Sequence, residues 1–141
     1  MVEIAERIRD LIGRYTTKEF SVVTEGHPHI AKCRPFPWMG HYCQAGKKLA
    51  HINLDQDVLP CPAFKQKPEY FAGNLKTNSI EDIWNNSAIF RELRTLTNDK
   101  LDEPCKTCPK WKICYGACAA QRCWTKESIY ASPDPVCVCG K

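Results

Sequence analysis

The hydrophobic pattern of the chain begins with a helical period. Over residues 2–15 apolar residues recur every three or four positions, while charged residues lie on the opposite face. The spacing predicts an amphipathic helix. The apolar face is formed by Ile4, Ile8, Leu11 and Ile12. Residues 20–24 then predict a short strand, whose open edge needs a partner strand inside this chain or outside it.

The pattern changes after a segment rich in proline and glycine, residues 26–40, which predicts a loop and an internal boundary. Residues 49–64 predict a β-hairpin, with Asp55–Asp57 in the turn. Pro60 ends the second strand, so that Cys61 follows directly after it.

Two short helices are predicted downstream of the hairpin. Ser79 and Asp82 resemble a capping box, which predicts a helix through Trp84. Ser87 is predicted to cap a second helix over residues 88–96. The tail, residues 131–139, contains two prolines and is predicted to be irregular. These elements predict a small α+β fold.

Composition makes the cysteines the main chemical question, because the chain has 141 residues and 10 of them are cysteine. The N-terminus has no apolar signal region and no segment is apolar enough to span a membrane, so we expect a cytoplasmic protein with reduced thiols. Dense cysteines in that compartment favour metal binding, whereas disulfides would require an oxidising one. The net charge is +4, and the sequence shows no basic stripe of the kind that nucleic-acid modules carry.

The spacing of the cysteines strengthens the metal hypothesis. Cys105, Cys108, Cys114 and Cys118 are separated by two, five and three residues. A C-x2-C turn lets two thiolates converge on one ion or cluster. A C-x3-C pair places two sulfurs on one face of a helical turn. Gly116 between the last two gives the backbone room to pass close to a bulky group.

Zinc and iron–sulfur clusters both remain possible at this point. Two four-cysteine zinc sites could be built from ten cysteines, but the chain has one C-x2-C pair and no H-x3-5-H pair. Ligands spread from residue 43 to residue 137 favour the larger iron–sulfur cluster over zinc. One cluster held by the 105–118 run alone is a further possibility.

Several motifs together resemble the SPASM domain, the C-terminal auxiliary-cluster domain of radical SAM enzymes that mature peptides and proteins. The resemblance covers roughly residues 40 to 139, and residues 1–25 resemble the last helix–strand unit of a radical SAM barrel. The motifs are Cys43-Gln-Ala-Gly46, residues 52–61 ending in Cys61, Gly73-Asn-Leu75, residues 79–84, the 2-5-3 cysteine run and Asp134-Pro-Val-Cys137.

The resemblance implies a helix–strand segment, residues 1–25, followed by a SPASM-like domain, residues 26–141. It also implies two iron–sulfur clusters, usually [4Fe–4S], held by separate cysteine sets. The first set would be Cys43, Cys61, Cys118 and, as a candidate fourth ligand, Cys33, with an iron left open as the alternative. The second set would be Cys105, Cys108, Cys114 and Cys137. Cys123 has no place in either set and is predicted to be a core thiol, and Cys139 has none either.

Two departures from the family bear on function. Gln56 stands where the family usually has a glycine in the hairpin turn. The chain also has no C-x3-C-x2-C motif. After Cys114-x3-Cys118 the third cysteine would have to be residue 121, which is Gln121, so no S-adenosylmethionine site is expected. The chain alone is therefore not expected to be an enzyme. We expect it to serve a radical SAM barrel, in the same longer chain or a separate protein, together with a peptide or protein substrate and a redox partner. A zinc-stabilised interaction module and a free-standing ferredoxin-like carrier are the alternatives.

Overall fold

The computed structural model of the protein describes residues 2–20, 43–135 and 137. Helix α1, Val2–Tyr15, confirms the first prediction. Ile12 is buried, whereas Leu11 is about half exposed. The predicted strand over residues 20–24 and the loop of residues 26–40 lie almost wholly outside the described residues. No helix in the described ranges is long and apolar enough to cross a membrane.

The described residues divide into two compact units. We call Cys43–Lys100 the hairpin unit, and the described residues of Met1–Tyr42 and Leu101–Lys141 the cysteine-rich unit. The predicted boundary between residues 25 and 26 falls in a part of the chain that is not described, and it stays a prediction.

The hairpin unit contains a three-stranded antiparallel sheet in the order β1-β2-β3. Strands β1, His51–Ile52, and β2, Asp57–Leu59, form the predicted hairpin, in which His51 lies opposite Leu59. Strand β3, Gly73–Asn74, was not predicted from the sequence. Two residues without apolar alternation carry no strand signal, so β3 depends on its pairing with β2.

Asparagine side chains fix the hairpin turn. The side-chain oxygen of Asn53 accepts the Asp57 amide hydrogen at 2.8 Å. The Asp57 carboxylate accepts hydrogen bonds from the side-chain amides of Asn74 (2.7 Å) and Asn53 (3.0 Å). Both bonds lower the pKa of the Asp57 carboxyl group, and the bond from Asn74 is the larger cause. Gln56 adopts a left-handed conformation with φ of 68°.

Two helices and three short 3-10 segments complete the hairpin unit. Helix α2, Ile80–Asn86, starts as predicted, because the Ser79 hydroxyl accepts the Asp82 amide hydrogen at 3.1 Å. Helix α3, Ala88–Arg94, ends two residues before the predicted Leu96, and the Ser87 side chain does not cap it. The 3-10 segments are Pro62–Phe64, Pro68–Tyr70 and Asn98–Lys100.

Large apolar side chains form the core of the hairpin unit. They come from the sheet, from the first 3-10 segment and from both helices, and they are Val58, Leu59, Phe64, Ile83, Ile89, Phe90 and Leu93. Trp84 packs edge-on against Phe90, with ring centroids 5.4 Å apart. Arg94 lies over the Trp84 ring and donates to the Gly46 carbonyl at 2.7 Å. The sheet and helices confirm the predicted α+β class.

The cysteine-rich unit has two short helices after residue 100, α4, Trp111–Cys114, and α5, Ala119–Lys126. Its buried side chains in this region are mostly small or polar. They are Leu101, Cys105, Ala117, Ala119, Ala120, Arg122, Cys123, Ile129, Ala131, Ser132 and Asp134. The fully buried Cys123 agrees with its predicted place in the core. Residues 131–135 are irregular, as predicted.

Candidate metal centre

A tight turn joins the first two cysteines of the predicted second set. The Cys108 amide donates to the Cys105 carbonyl at 3.3 Å, and the Trp111 amide donates to the Cys108 carbonyl at 3.1 Å. Cys105 is buried, whereas Cys108 and Cys114 are half-buried. The turn that C-x2-C predicts is therefore present.

The C-terminal segment is hydrogen-bonded to the same turn. The Ser132 hydroxyl accepts the Cys105 amide hydrogen at 3.1 Å and donates to the Asp102 carbonyl at 2.7 Å. The Cys137 amide then donates to the Asp134 carbonyl at 2.9 Å. Ser132 thus holds the segment that carries Cys137 against the segment that carries Cys105.

The four thiols Cys105, Cys108, Cys114 and Cys137 interact electrostatically. Burial is the largest cause that raises the pKa of the Cys114 thiol, and the charges of the other three add to it. A hydrogen bond from the Gly116 amide acts in the opposite direction. Burial also raises the pKa of the Cys105 thiol, and the charges of Cys137 and Cys108 raise it further. A hydrogen bond between this thiol and the Ser132 side chain acts in the opposite direction. The fold therefore places Cys105 and Cys114 within electrostatic reach of each other and of both Cys108 and Cys137.

The chemistry of this donor set fits a metal centre. Deprotonated cysteines are the ligands of zinc and of iron–sulfur clusters, and a bound cation would offset the burial and repulsion that raise the pKa of the Cys105 and Cys114 thiols. Among the described residues, no three His, Cys, Asp or Glu side chains converge closely enough to hold a single ion.

The segment between Cys114 and Cys118 differs from the prediction. Helix α4 ends at Cys114, and Tyr115, Gly116 and Ala117 all have positive φ values of 49°, 75° and 57°. Three successive left-handed residues break the helix. The prediction that Cys114 and Cys118 lie on one face of a helical turn is therefore wrong.

Cys118 is held by a buried carboxylate. Its amide donates to Asp134 Oδ2 at 2.9 Å, directly before helix α5 begins. Asp134 is 2% exposed. The side chain of Asp134 therefore holds Cys118 while its carbonyl accepts the Cys137 amide hydrogen. One residue positions a predicted ligand of each set.

The remaining predicted ligands lie elsewhere in the chain. Cys43 and Cys61 belong to the hairpin unit and are half-buried. Cys61 follows Pro60 directly after β2, as predicted, and precedes a 3-10 segment. Cys118 belongs to the cysteine-rich unit, and Cys33 and Cys139 lie outside the described residues. The first ligand set stays a prediction.

Arg122 is a buried residue of this region that the sequence did not single out. Its side chain is fully buried, and Nε and Nη2 donate to the Ile129 carbonyl at 3.0 and 2.7 Å. Nη1 donates to the Gly116 carbonyl. Its charge lowers the pKa of the Cys105 thiol. Arginine side chains are rarely fully buried, so nothing in the sequence placed this one in the core.

Cysteine spacing and donor chemistry make this region a candidate thiolate metal centre. Comparison with known proteins gives the family. Residues 43–109 match the SPASM family, an iron-sulfur cluster-binding domain. The chain therefore contains a SPASM domain, which confirms the resemblance seen in the sequence.

Known relatives share most of this chain. It is 35% identical over 104 residues to the PqqA peptide cyclase of Xanthomonas euvesicatoria pv. vesicatoria (strain 85-10), covering 74% of this chain and 26% of the relative. It is 34% identical over 99 residues to the mycofactocin maturase MftC of Mycobacterium tuberculosis (strain ATCC 25618 / H37Rv), covering 70% of this chain and 24% of the relative. The chain thus spans about a quarter of the length of these relatives.

Proposed function

We propose that the chain binds two auxiliary iron–sulfur clusters for a radical SAM enzyme that modifies a peptide or protein. The observation that carries this proposal is the electrostatic interaction of Cys105 and Cys114 with each other and with both Cys108 and Cys137, all within one unit. The family match and the peptide cyclase and maturase named among the relatives support it.

The first cluster would use Cys43, Cys61 and Cys118, with Cys33 as the candidate fourth ligand. This assignment comes from the resemblance to the family. The bond between Asp134 and the Cys118 amide supports it in one respect, since a held backbone fixes the direction from which a ligand approaches.

The two clusters would divide the work. The first would serve substrate binding or accept an electron, and the second would relay electrons to a redox partner; iron–sulfur clusters supply one-electron transfer. The chain's own residues would hold the thiolates, donate hydrogen bonds to sulfur through amides such as that of Gly116, and exclude water by burial.

Anaerobic reconstitution tests the proposal. The 141-residue chain is incubated with iron, sulfide and zinc in competition, and bound metal and sulfide are measured. Two clusters of the [4Fe–4S] type give about eight irons with matching sulfide per chain. About two zinc ions without sulfide would contradict the proposal and favour the zinc-stabilised module.

Cysteine variants show which thiols hold iron. Cys108→Ala should lose about half of the iron, because one of the two sets loses a ligand. Cys123→Ala is the matched control, since Cys123 is a fully buried thiol outside both sets. The control should keep the full iron content. Equal loss from both variants would mean that iron content reports folding and not ligation.

The role beside a radical SAM barrel has its own test. The loaded chain alone should give no 5′-deoxyadenosine from S-adenosylmethionine. Complex formation with a radical SAM barrel protein supports an accessory role. Electron transfer to many acceptors without such a complex would favour the ferredoxin-like carrier.

A further inference from the structure

Arg122 places a positive charge inside the cysteine-rich unit. Its guanidinium group is fully buried and donates to the carbonyls of Ile129 and Gly116. A buried charge is costly unless it is hydrogen-bonded and close to charge of the opposite sign. The two carbonyls satisfy donors of the guanidinium group.

The guanidinium group is linked to the predicted cluster ligands through Gly116. Nη1 of Arg122 donates to the Gly116 carbonyl, and Gly116 lies two residues after Cys114 and two before Cys118. A Cβ atom at position 116 would lie 3.2 Å from Arg122 Nη1. The guanidinium group therefore contacts the left-handed segment that joins Cys114 to Cys118.

We propose that Arg122 is a positioning residue whose fixed, buried charge raises the reduction potential of the cluster bound by Cys105, Cys108, Cys114 and Cys137. This inference rests on the proposed function of that site. The electrostatic contact between Arg122 and Cys105 supports it. An arginine keeps its charge at all physiological pH values, so the effect is a constant one.

The sign of the effect follows from the electron count. Reduction by dithionite adds one electron, and thus one negative charge, to a centre that four thiolates already make anionic. A nearby positive charge stabilises the reduced form more than the oxidised form. Removing the charge should therefore lower the ratio of reduced to oxidised cluster at a fixed poise by about tenfold. For a one-electron couple this ratio corresponds to a shift of about −59 mV.

Two variants separate charge from packing. Arg122→Gln removes the charge and keeps a side-chain donor, whereas Arg122→Lys keeps the charge and loses the fork of donors. We expect the lower potential in Arg122→Gln, with Arg122→Lys close to the original chain. The readout is the EPR signal of the reduced cluster in a redox titration. Arg94→Gln is the matched control, because Arg94 also donates to a carbonyl but belongs to the hairpin unit.

A neutral isostere covers the case in which Arg122→Gln does not fold. Because residue 118 is a natural cysteine, native chemical ligation can join residues 1–117 to a synthetic 118–141 peptide without changing the sequence. Citrulline in place of Arg122 keeps the shape and most donors of the side chain and removes its charge. The ligated chain should load iron normally and show the lowered potential.

The outcomes distinguish the two proposals. If the original chain binds no iron and sulfide, the proposed function fails, and the inference falls with it. If the cluster loads but citrulline leaves its potential unchanged, the inference is wrong and the proposed function stands. Equal shifts in Arg122→Lys and Arg122→Gln would also overturn the inference, because they would assign the effect to packing.

Discussion

Gly116 is the residue on which backbone conformation and packing make the strictest joint demand. Its φ of 75° lies in the left-handed region, and its two neighbours are left-handed as well. A Cβ atom there would lie 2.8 Å from Leu101 Cδ1 and 3.1 Å from Trp111 Cζ3. The sequence predicted that this glycine gives room to the backbone. In the structure the side chains of Leu101, Trp111 and Arg122 pack against Gly116. The glycine is therefore needed for packing as well as for backbone conformation.

Gly116→Ala should destabilise the chain by about 1–3 kcal/mol, because an alanine is strained at this φ and its methyl group would displace Leu101. Urea denaturation of the reduced, metal-free chain measures the change. Gly13→Ala is the control: Gly13 lies in α1 with nothing within 4 Å of its Cβ position, and alanine there should stabilise by about 0.5–1 kcal/mol. Equal stability of Gly116→Ala and the original chain would contradict the prediction.

At the scale of elements, the hairpin shows how the chain accommodates Gln56 at a turn position where the family usually has a glycine. Gln56, which replaces the usual glycine, has a φ of 68°. A non-glycine residue in this region costs about 1–2 kcal/mol. The network of Asn53, Asp57 and Asn74 hydrogen bonds holds the turn in this conformation. The turn therefore keeps the geometry of a glycine turn although the glycine is absent.

Gln56→Gly should stabilise the chain by up to about 1 kcal/mol, because relief of the left-handed strain exceeds the entropy that glycine adds to the unfolded chain. Thermal denaturation gives the measurement. Gln66→Gly is the matched control, since Gln66 is exposed and is not among the left-handed residues. The control should lose stability. A loss of the same size in Gln56→Gly would show that the turn carries no strain.

The elements that sequence reasoning found are those with local signals. Helix α1 follows from its apolar period, the hairpin from its turn, and α2 from the Ser79 cap. Strand β3 could not be found, because two residues acquire strand geometry only by pairing with β2. Helix α4 has four residues, too few for a period, and its end at Cys114 depends on the left-handed Tyr115.

The candidate site divides in the same way. Spacing alone predicted the turn between Cys105 and Cys108, because two intervening residues impose it. The approach of Cys137 depends on the bond between Ser132 and the Cys105 amide, which joins residues 27 positions apart. The burial of Arg122 likewise depends on carbonyls supplied by other segments. Such contacts are set by tertiary packing and leave no periodic trace in the sequence.

At the scale of the whole molecule, the two units differ in what they bury. The hairpin unit buries large apolar side chains, among them Phe64, Phe90 and Leu93. Each such side chain contributes about 1.5–3 kcal/mol. In residues 101–135 the buried groups are mainly alanines, cysteines and polar side chains such as Arg122 and Asp134. Small and polar groups contribute less to stability, so this region should depend more strongly on a bound metal group.

Removal of the metal should therefore act unevenly along the chain. After reconstitution and then chelation under reducing conditions, amide hydrogen exchange should speed up strongly in residues 101–135. Most protection should remain in residues 43–100. There Cys43 and Cys61 would lose the metal group that they bind, but the apolar core persists. Hydrogen-exchange mass spectrometry of the loaded and chelated chain measures both regions in one experiment.

The cysteine variants tie this difference to ligation. Cys108→Ala, treated with iron and sulfide, should exchange in residues 101–135 like the chelated chain, because its second set lacks a ligand. Cys123→Ala should regain protection on loading. If residues 101–135 stay protected without metal, the hydrogen bonds of Ser132, Asp134 and Arg122 hold this region by themselves. The cysteine-rich unit would then be a preformed receptor, and metal binding would stabilise it only by mass action.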